Sequence, residues 1–354
     1  MGGFCYVLLR FGKAKAVLLC VESSFFFREP DAIKLPSLRY HYVFKRKCVI
    51  FLMLAMASIG VRAQYDPTFS HYFDLEPSFN PGAVGKRAVI NVAAAYAIEM
   101  AGFHHNPQTA FISADMPFYG MKTYHGAGIV LMNDKIGAFS HQRLQGQYAV
   151  KMKLFGGQLG IGVQAGLLSE SLDGSKLDFD VGDDHALPTS QVDGNAIDLA
   201  AGLYYLRGPL YVGASATHLT SPLIKLGERN ELKVDRTYYL TGGYNIRLRN
   251  PFLSIQPTFL ARTDLVGWRA DVTGRLTYQN EQKLMYLGLT YSPTVSVTVL
   301  VGGRFHGIVA GYSYEFYTSA ISPINGSHEL FLGYQVDVNL VKKGRNRHQG
   351  VRIM

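Results

Sequence analysis

The sequence predicts an all-β chain: a transmembrane outer-membrane β-barrel of about 14 antiparallel strands, following a cleaved signal peptide. Three observations lead there. The 354 residues are 48% hydrophobic but only 17% charged, where a soluble domain carries about a quarter charged residues. Apolar residues recur at every second position over long segments, the period of a strand with different media on its two faces. A helical span needs about 18 consecutive apolar residues, and here the apolar residues are dispersed instead.

From the N-terminus, Lys45, Arg46 and Lys47 precede the apolar run Cys48–Ala57, and Val61-Arg62-Ala63 places small residues at −3 and −1 before Gln64. This is the layout of a signal peptide over 43–63, with a membrane anchor as the alternative. Residues 1–42 then read as an over-extended start or an N-terminal extension, with Val43 a candidate initiator. Of the 35 Lys+Arg and 26 Asp+Glu, 10 and 3 lie in residues 1–63, leaving a nearly neutral mature chain with 25 and 23. The basic balance thus largely leaves with the leader, and nucleic-acid binding loses its main support. Cys5, Cys20 and Cys48 leave as well, so no disulfide, thiolate metal site or cysteine nucleophile is expected in the mature chain.

Residues 64–87 are expected to be a periplasmic lead-in, 88–340 the barrel and 341–354 a basic C-terminal tail. Trp268, Ala270, Val272, Gly274, Leu276 and Tyr278 alternate with Arg269, Asp271, Thr273, Arg275, Thr277 and Gln279. Leu144, Gly146, Tyr148, Val150 and Met152 oppose Arg143, Gln145, Gln147 and Lys151. In the last segment Leu330, Leu332, Tyr334, Val336, Val338 and Leu340 form the apolar face, with Phe331 out of phase. Tyr238, Tyr244, Tyr278, Tyr286 and Tyr334 suit the aromatic girdles of such a barrel.

Fourteen strands are expected near 88–100, 108–118, 124–133, 141–154, 157–168, 196–206, 209–219, 236–249, 251–263, 267–279, 282–292, 294–304, 306–317 and 327–340. With both barrel ends periplasmic, the long connections 169–195 and 220–235 fall outside. The tight ones at Phe155-Gly156, Arg207-Gly208 and Asn250 fall inside, which is the usual asymmetry.

Asp173, Asp178, Asp180, Asp183 and Asp184 are oxygen ligands bunched in one loop, but without EF-hand spacing they read as a solvated acidic surface. His218 lies near Ser215 and Ser221, and Ser327-His328-Glu329 is another polar run, yet neither fixes a nucleophile beside a base. His104-His105 is not a metal spacing. No enzymatic activity, cofactor or metal is expected. Arg269, Asp271, Arg275, Lys151 and Gln164 are candidates to line a lumen, so a small-solute channel is the rival function, although no outer loop obviously folds inward as a constriction. Lys342, Lys343, Arg345 and Arg347 make the tail a candidate contact for an acidic partner.

A series of short runs resembles the PorP/SprF family of type IX secretion system outer-membrane proteins. Gln64-Tyr65-Asp66-Pro67-Thr68-Phe69-Ser70-His71-Tyr72, followed by Asn80-Pro81-Gly82-Ala83-Val84-Gly85, looks like the family's opening. Pro107, Thr109, Ser113, Asp115 and Pro117 match its next segment. Asn133-Asp134-Lys135-Ile136-Gly137 is similar to its first external turn, and Tyr148-Ala149 to the following strand. Ala201–Tyr205, Tyr211-Val212-Gly213, His218-Leu219, Gly311-Tyr312-Ser313-Tyr314-Glu315 and Gly326-Ser327-His328-Glu329 come in order.

Two departures stand out: Ala97–Met100 lacks the Arg and the Gln-Trp pair frequent on the family's first strand, and Glu315 stands where Asp is usual. Beside the resemblance, Asn133-Asp134-Lys135 and Asn80-Pro81-Gly82 read as turn chemistry. The resemblance implies a non-enzymatic component of the type IX machinery, supporting export or anchoring of surface proteins such as gliding adhesins. It also implies periplasmic partners, including peptidoglycan-linked ones, cargo with a C-terminal sorting domain, and outer-membrane lipid.

Overall fold

The computed structural model describes residues 65–176, 190–227, 230–280, 283–318 and 325–338. The expected leader 1–63 and the tail 341–354, with Lys342, Lys343, Arg345 and Arg347, lie outside them, as do Asp178, Asp180, Asp183 and Asp184.

The chain runs through β1 (Val89–Ile98), β2 (Gln108–Gly120), β3 (Thr123–Ile136), β4 (Phe139–Leu154), β5 (Gly157–Asp173), β6 (Gln191–Arg207) and β7 (Leu210–Thr217). A small hairpin follows, β8 (Leu223–Leu226) and β9 (Asn230–Lys233), then β10 (Thr237–Tyr244) and its two-residue continuation β11 (Ile246–Arg247). The second half is β12 (Leu253–Thr263), β13 (Trp268–Asn280), β14 (Lys283–Ser292), β15 (Ser296–Phe305), β16 (Ile308–Tyr317) and β17 (Ser327–Asp337). Every wall strand pairs antiparallel with its neighbours; β1 pairs with β17 and β10 with β12, so the sheet closes with fourteen wall strands. Closure leaves no unpaired edge, the condition for a sheet to sit in hydrocarbon.

The two faces are inverted relative to a soluble barrel. Val272, Leu276, Leu287, Leu289, Leu144, Met152, Leu330 and Leu332 point outward and are exposed, while Asp271, Thr273, Thr277, Gln145, Gln147 and Lys151 are buried inside. The expected alternation therefore holds strand by strand. Tyr238, Tyr244, Tyr278 and Tyr334 are outward as expected, but Tyr286 is 5% exposed and faces the lumen.

At the end bearing the tight connections, Met121-Lys122, Phe155-Gly156 and His306-Gly307 are two-residue turns with positive φ at both positions. That is the type I′ geometry whose twist matches the strands it joins. At the other end β5 and β6 extend about five residues beyond the expected limits, so the outer connection is 174–190, not 169–195. The extension is stabilised from inside, where Glu170 and Leu172 are buried. Asn133-Asp134-Lys135, read as a turn, lies within β3; the turn itself is at Gly137, φ +62°. Asp134 is drawn into the sheet because it faces inward and accepts a hydrogen bond from Thr109 Oγ1 at 2.7 Å.

Candidate functional site

The lumen is filled by the chain's own residues 65–87. This segment, expected below the barrel in the periplasm, threads the interior from the long-loop end to the short-turn end and then enters β1. The reason is chemical. The inward face of the wall carries charged and amide side chains, and the segment brings backbone groups and polar side chains that satisfy them in place of water.

At the outer end Asp66 is the hub. Its carboxylate meets Arg143 Nη2 of β4 and His218 Nε2 (3.1 Å), and accepts from Tyr239 Oη (2.5 Å) of β10. Arg262 of β12 donates from Nη1 to the Asp66 carbonyl (2.7 Å) and from Nη2 to Thr68 Oγ1 (2.5 Å). The Arg143 guanidinium thus meets the Asp66 carboxylate as a buried ion pair. Tyr65 hydrogen-bonds Glu170, which also pairs with His141.

One level deeper, Glu329 of β17 clamps the plug backbone. It accepts from Ser70 N (2.6 Å) and His71 N (3.0 Å), and meets His71 Nδ1 at 2.6 Å. The His71 ring stacks on Phe331, 5.5 Å between centroids. The out-of-phase Phe331 thus serves the plug rather than the lipid, within a cluster with Phe69, Leu75 and Phe111.

Farther in, Tyr72 Oη bonds Thr258 and Thr273, Gln147 donates to the Pro77 carbonyl (2.6 Å), and Ser215 Oγ donates to the Phe79 carbonyl (2.7 Å). Asn80-Pro81-Gly82-Ala83 is a 3-10 turn capped by Asn80 Oδ1, which accepts from Gly82 N at 2.8 Å. Asn80 Nδ2 reaches the Leu203 carbonyl (3.1 Å), and Lys151 Nζ the Gly82 carbonyl (2.7 Å). The wall approaches so closely that side chains are excluded. A Cβ on Gly162 would lie 2.2 Å from the Pro81 carbonyl carbon, and one on Gly126 2.1 Å from the Val84 oxygen. Gly85 N donates to Asp115 Oδ2 (2.8 Å), and Lys86 pairs with Glu76.

The outer mouth is covered as well. The hairpin β8–β9 folds inward, packing Ile224, Leu226 and Val234 on Leu168 and Leu172. The 220–235 connection, expected to reach outward, is therefore an inward-folded lid, and the expectation that no outer loop folds inward is corrected. Its apolar side chains bury themselves against Leu168 and Leu172 on the upper inner wall.

Most lumen candidates from the sequence are consumed in this packing. Arg269 pairs with Asp271 (3.0 Å) and Glu315 (3.3 Å), and Gln164 bonds Gln147. His218 bridges Asp66 and Asp198 (3.1 Å to each), while Ser215 is engaged with Phe79. Asp173 caps Ser175. Among the described residues no group of three His, Cys, Asp or Glu side chains is arranged to hold a metal ion.

The resemblance residues divide by role. Asn80, Pro81 and Gly85 belong to the plug. A Cβ on Gly311 would meet His71 Nε2 at 2.6 Å, and Ser313 is buried inside. Tyr312 is outward and bonds His328 Nδ1 (2.7 Å), Tyr314 rests edge-on against His328, and Ser327 Oγ accepts from Met100 N (2.9 Å). Lys135 lies at the outer end of β3. Sequence reasoning missed Asp66, Glu170, Tyr239 and Arg262 as a cluster; the inward phase of Glu170, Tyr239 and Arg262 on their strands was readable, but Asp66 precedes the first strand and carries no such signal.

The family described as type IX secretion system membrane protein PorP/SprF matches residues 61–334. No curated protein matches the chain. Among solved structures it is similar to the Pseudomonas putida toluene transporter TodX: 10% identity, 76% of this chain and 93% of that one, TM-score 0.43. It is similar also to BamA from Haemophilus ducreyi lacking POTRA domains 1–3: 9% identity, 71% and 70%, TM-score 0.41. A third is a Pseudomonas aeruginosa FadL homologue: 13% identity, 70% and 89%, TM-score 0.38.

Proposed function

The chain belongs to the PorP/SprF family of type IX secretion system membrane proteins and is an integral outer-membrane β-barrel, and from that premise we propose that it is a non-enzymatic docking component of the machine rather than its conduit. In this reading it supports export or anchoring of surface proteins, gliding adhesins among them, by holding partners at its two ends. The supporting observation is the lumen, obstructed by residues 65–87 along most of its length and covered by the β8–β9 lid. A barrel in that state offers no path for a folded cargo or a hydrophilic solute, so its contribution lies in its surfaces.

The outer connections are the candidate surfaces for cargo bearing a C-terminal sorting domain. The short-turn end and the basic residues Lys342, Lys343, Arg345 and Arg347 are the candidate surfaces for periplasmic components, including peptidoglycan-linked ones. Surface and secreted proteomics on a clean deletion strain, with a complemented control, tests the proposal. Loss of one or a few large surface proteins is the expected result, and it identifies a cargo-dedicated partner. Loss of every sorting-domain protein identifies a core component. An unchanged set of surface and secreted proteins overturns the secretion role.

A further inference from the structure

Beside the inner part of the plug, toward the short-turn end, the barrel opens into a vestibule of about 480 Å³ lined in part by Phe73, Asp74 and Lys86 of the plug, within the range of ligand pockets, roughly 300–1,000 Å³. Its wall includes Arg275, Arg304, Tyr204, Tyr286 and Thr277 from the strands, with Arg87 of the plug at its margin. Gly208, Pro209 and Asn245, from connections at that end, form part of its rim.

One cation in this wall differs from those higher up. Arg275 has no hydrogen bond or ion pair among the described residues: its Nε is buried and unpartnered, and its guanidinium lies 3.4 Å over the Phe73 ring. The hydroxyls of Tyr286 and Thr277, side chains 5% and 2% exposed, are likewise unpartnered. Single unpartnered atoms occur elsewhere in the lumen, Arg143 Nε and Arg262 Nε among them, but those guanidiniums are bonded through their other nitrogens, whereas all the donors of Arg275 are open to an acceptor. A guanidinium has five N–H donors and no acceptor, and a carboxylate answers it in two parallel bonds.

The charge balance points the same way. Lys86 is paired with Glu76, and among the described residues Arg304 bonds only the neutral Gln335 (3.3 Å). Arg87, Arg275 and Arg304 then face Asp74 and Asp337 as an excess of cations. Four residues beyond Val338, whose N donates to the Ala88 carbonyl at this same end, the sequence carries Lys342, Lys343, Arg345 and Arg347. A basic tail is a poor occupant for a cationic pocket.

We propose that this vestibule is a binding site for an acidic, extended peptide segment of a partner protein, with Arg275 receiving a side-chain carboxylate and Arg304 and Arg87 supplying further positive charge. The proposal rests on the docking reading above. It is tested on the isolated protein, so its failure is separable from a failure of the secretion phenotype.

The experiment is fluorescence anisotropy of a hexaglutamate peptide carrying an uncharged label, titrated with the full mature chain in nanodiscs, with hexalysine as the control. The expected result is saturable, salt-sensitive binding of hexaglutamate alone. It weakens at least tenfold in Arg275→Gln and severalfold in Arg304→Gln, and is only partly retained in Arg275→Lys, which keeps the charge but not the two parallel bonds. Lys225→Gln, on the lid at the opposite end, leaves it unchanged. Retained heat-dependent gel mobility of each variant verifies a closed barrel. Absence of binding by the wild type, equal weakening by Lys225→Gln, or binding that disappears on removal of residues 342–347 while Arg275→Gln is silent, overturns the proposal.

Discussion

Deleting residues 65–86 while leaving β1 intact is expected to convert a closed barrel into an open pore. Fourteen strands about 4.8 Å apart and tilted about 40° enclose a cylinder about 28 Å across between backbones. Allowing about 5 Å for the inward side chains on each side, as in sheets packed face to face, leaves a water path about 18 Å wide. In planar lipid bilayers the intact chain is expected to be silent and the deletion to show large, long-lived conductance steps. The wall should survive, because its ladder hydrogen bonds close without the plug.

A wall substitution gives an independent version. Gly162→Leu directs a side chain into the position of the Pro81 carbonyl carbon, 2.2 Å from the new Cβ, so the inner part of the plug must leave its seat. Steady conductance by the intact chain equal to that of the deletion refutes the plugged-lumen argument. So does silence of a deletion variant that still migrates as a folded barrel.

Other consequences follow from single contacts. Glu329→Ala removes the acceptor shared by Ser70 N, His71 N and His71 Nδ1. Leaving buried donors unmet costs about 1–3 kcal/mol each, so urea unfolding in detergent micelles should shift by a few kcal/mol, with Glu329→Gln recovering part of it. Asp66→Ala removes the carboxylate shared by Arg143, His218 and Tyr239. Protection of the plug from added protease is therefore expected to fall, and unchanged protection would contradict the hub role. Leu287→Arg places a charge on the outward face of β14, and a cost of about 2–4 kcal/mol near the bilayer midplane is expected from unfolding into micelles. No effect would mean that this face does not meet lipid.

The sequence alone determined the wall. Alternation reports the two media flanking a strand, a local property that each residue carries regardless of its partners, and it placed Val272 and Leu276 outward and Thr273 and Thr277 inward. The strand number and the gathering of the tight connections at one end followed from the same signal with the turn residues. Phe331 and Tyr286 broke the pattern because a lumen filled by protein is dry enough for aromatic rings, a condition that no window around either residue reveals. Only the tertiary structure decided what the interior holds. Residues 65–87 have no sustained period, and their contacts join positions far apart: His71 to Glu329 across 258 residues, Arg262 to Asp66 across 196. Hydrogen-bond and charge pairing of that kind depends on closure of the barrel, which brings fourteen polar faces around one segment, and it is this closure that turned an expected periplasmic lead-in into a plug.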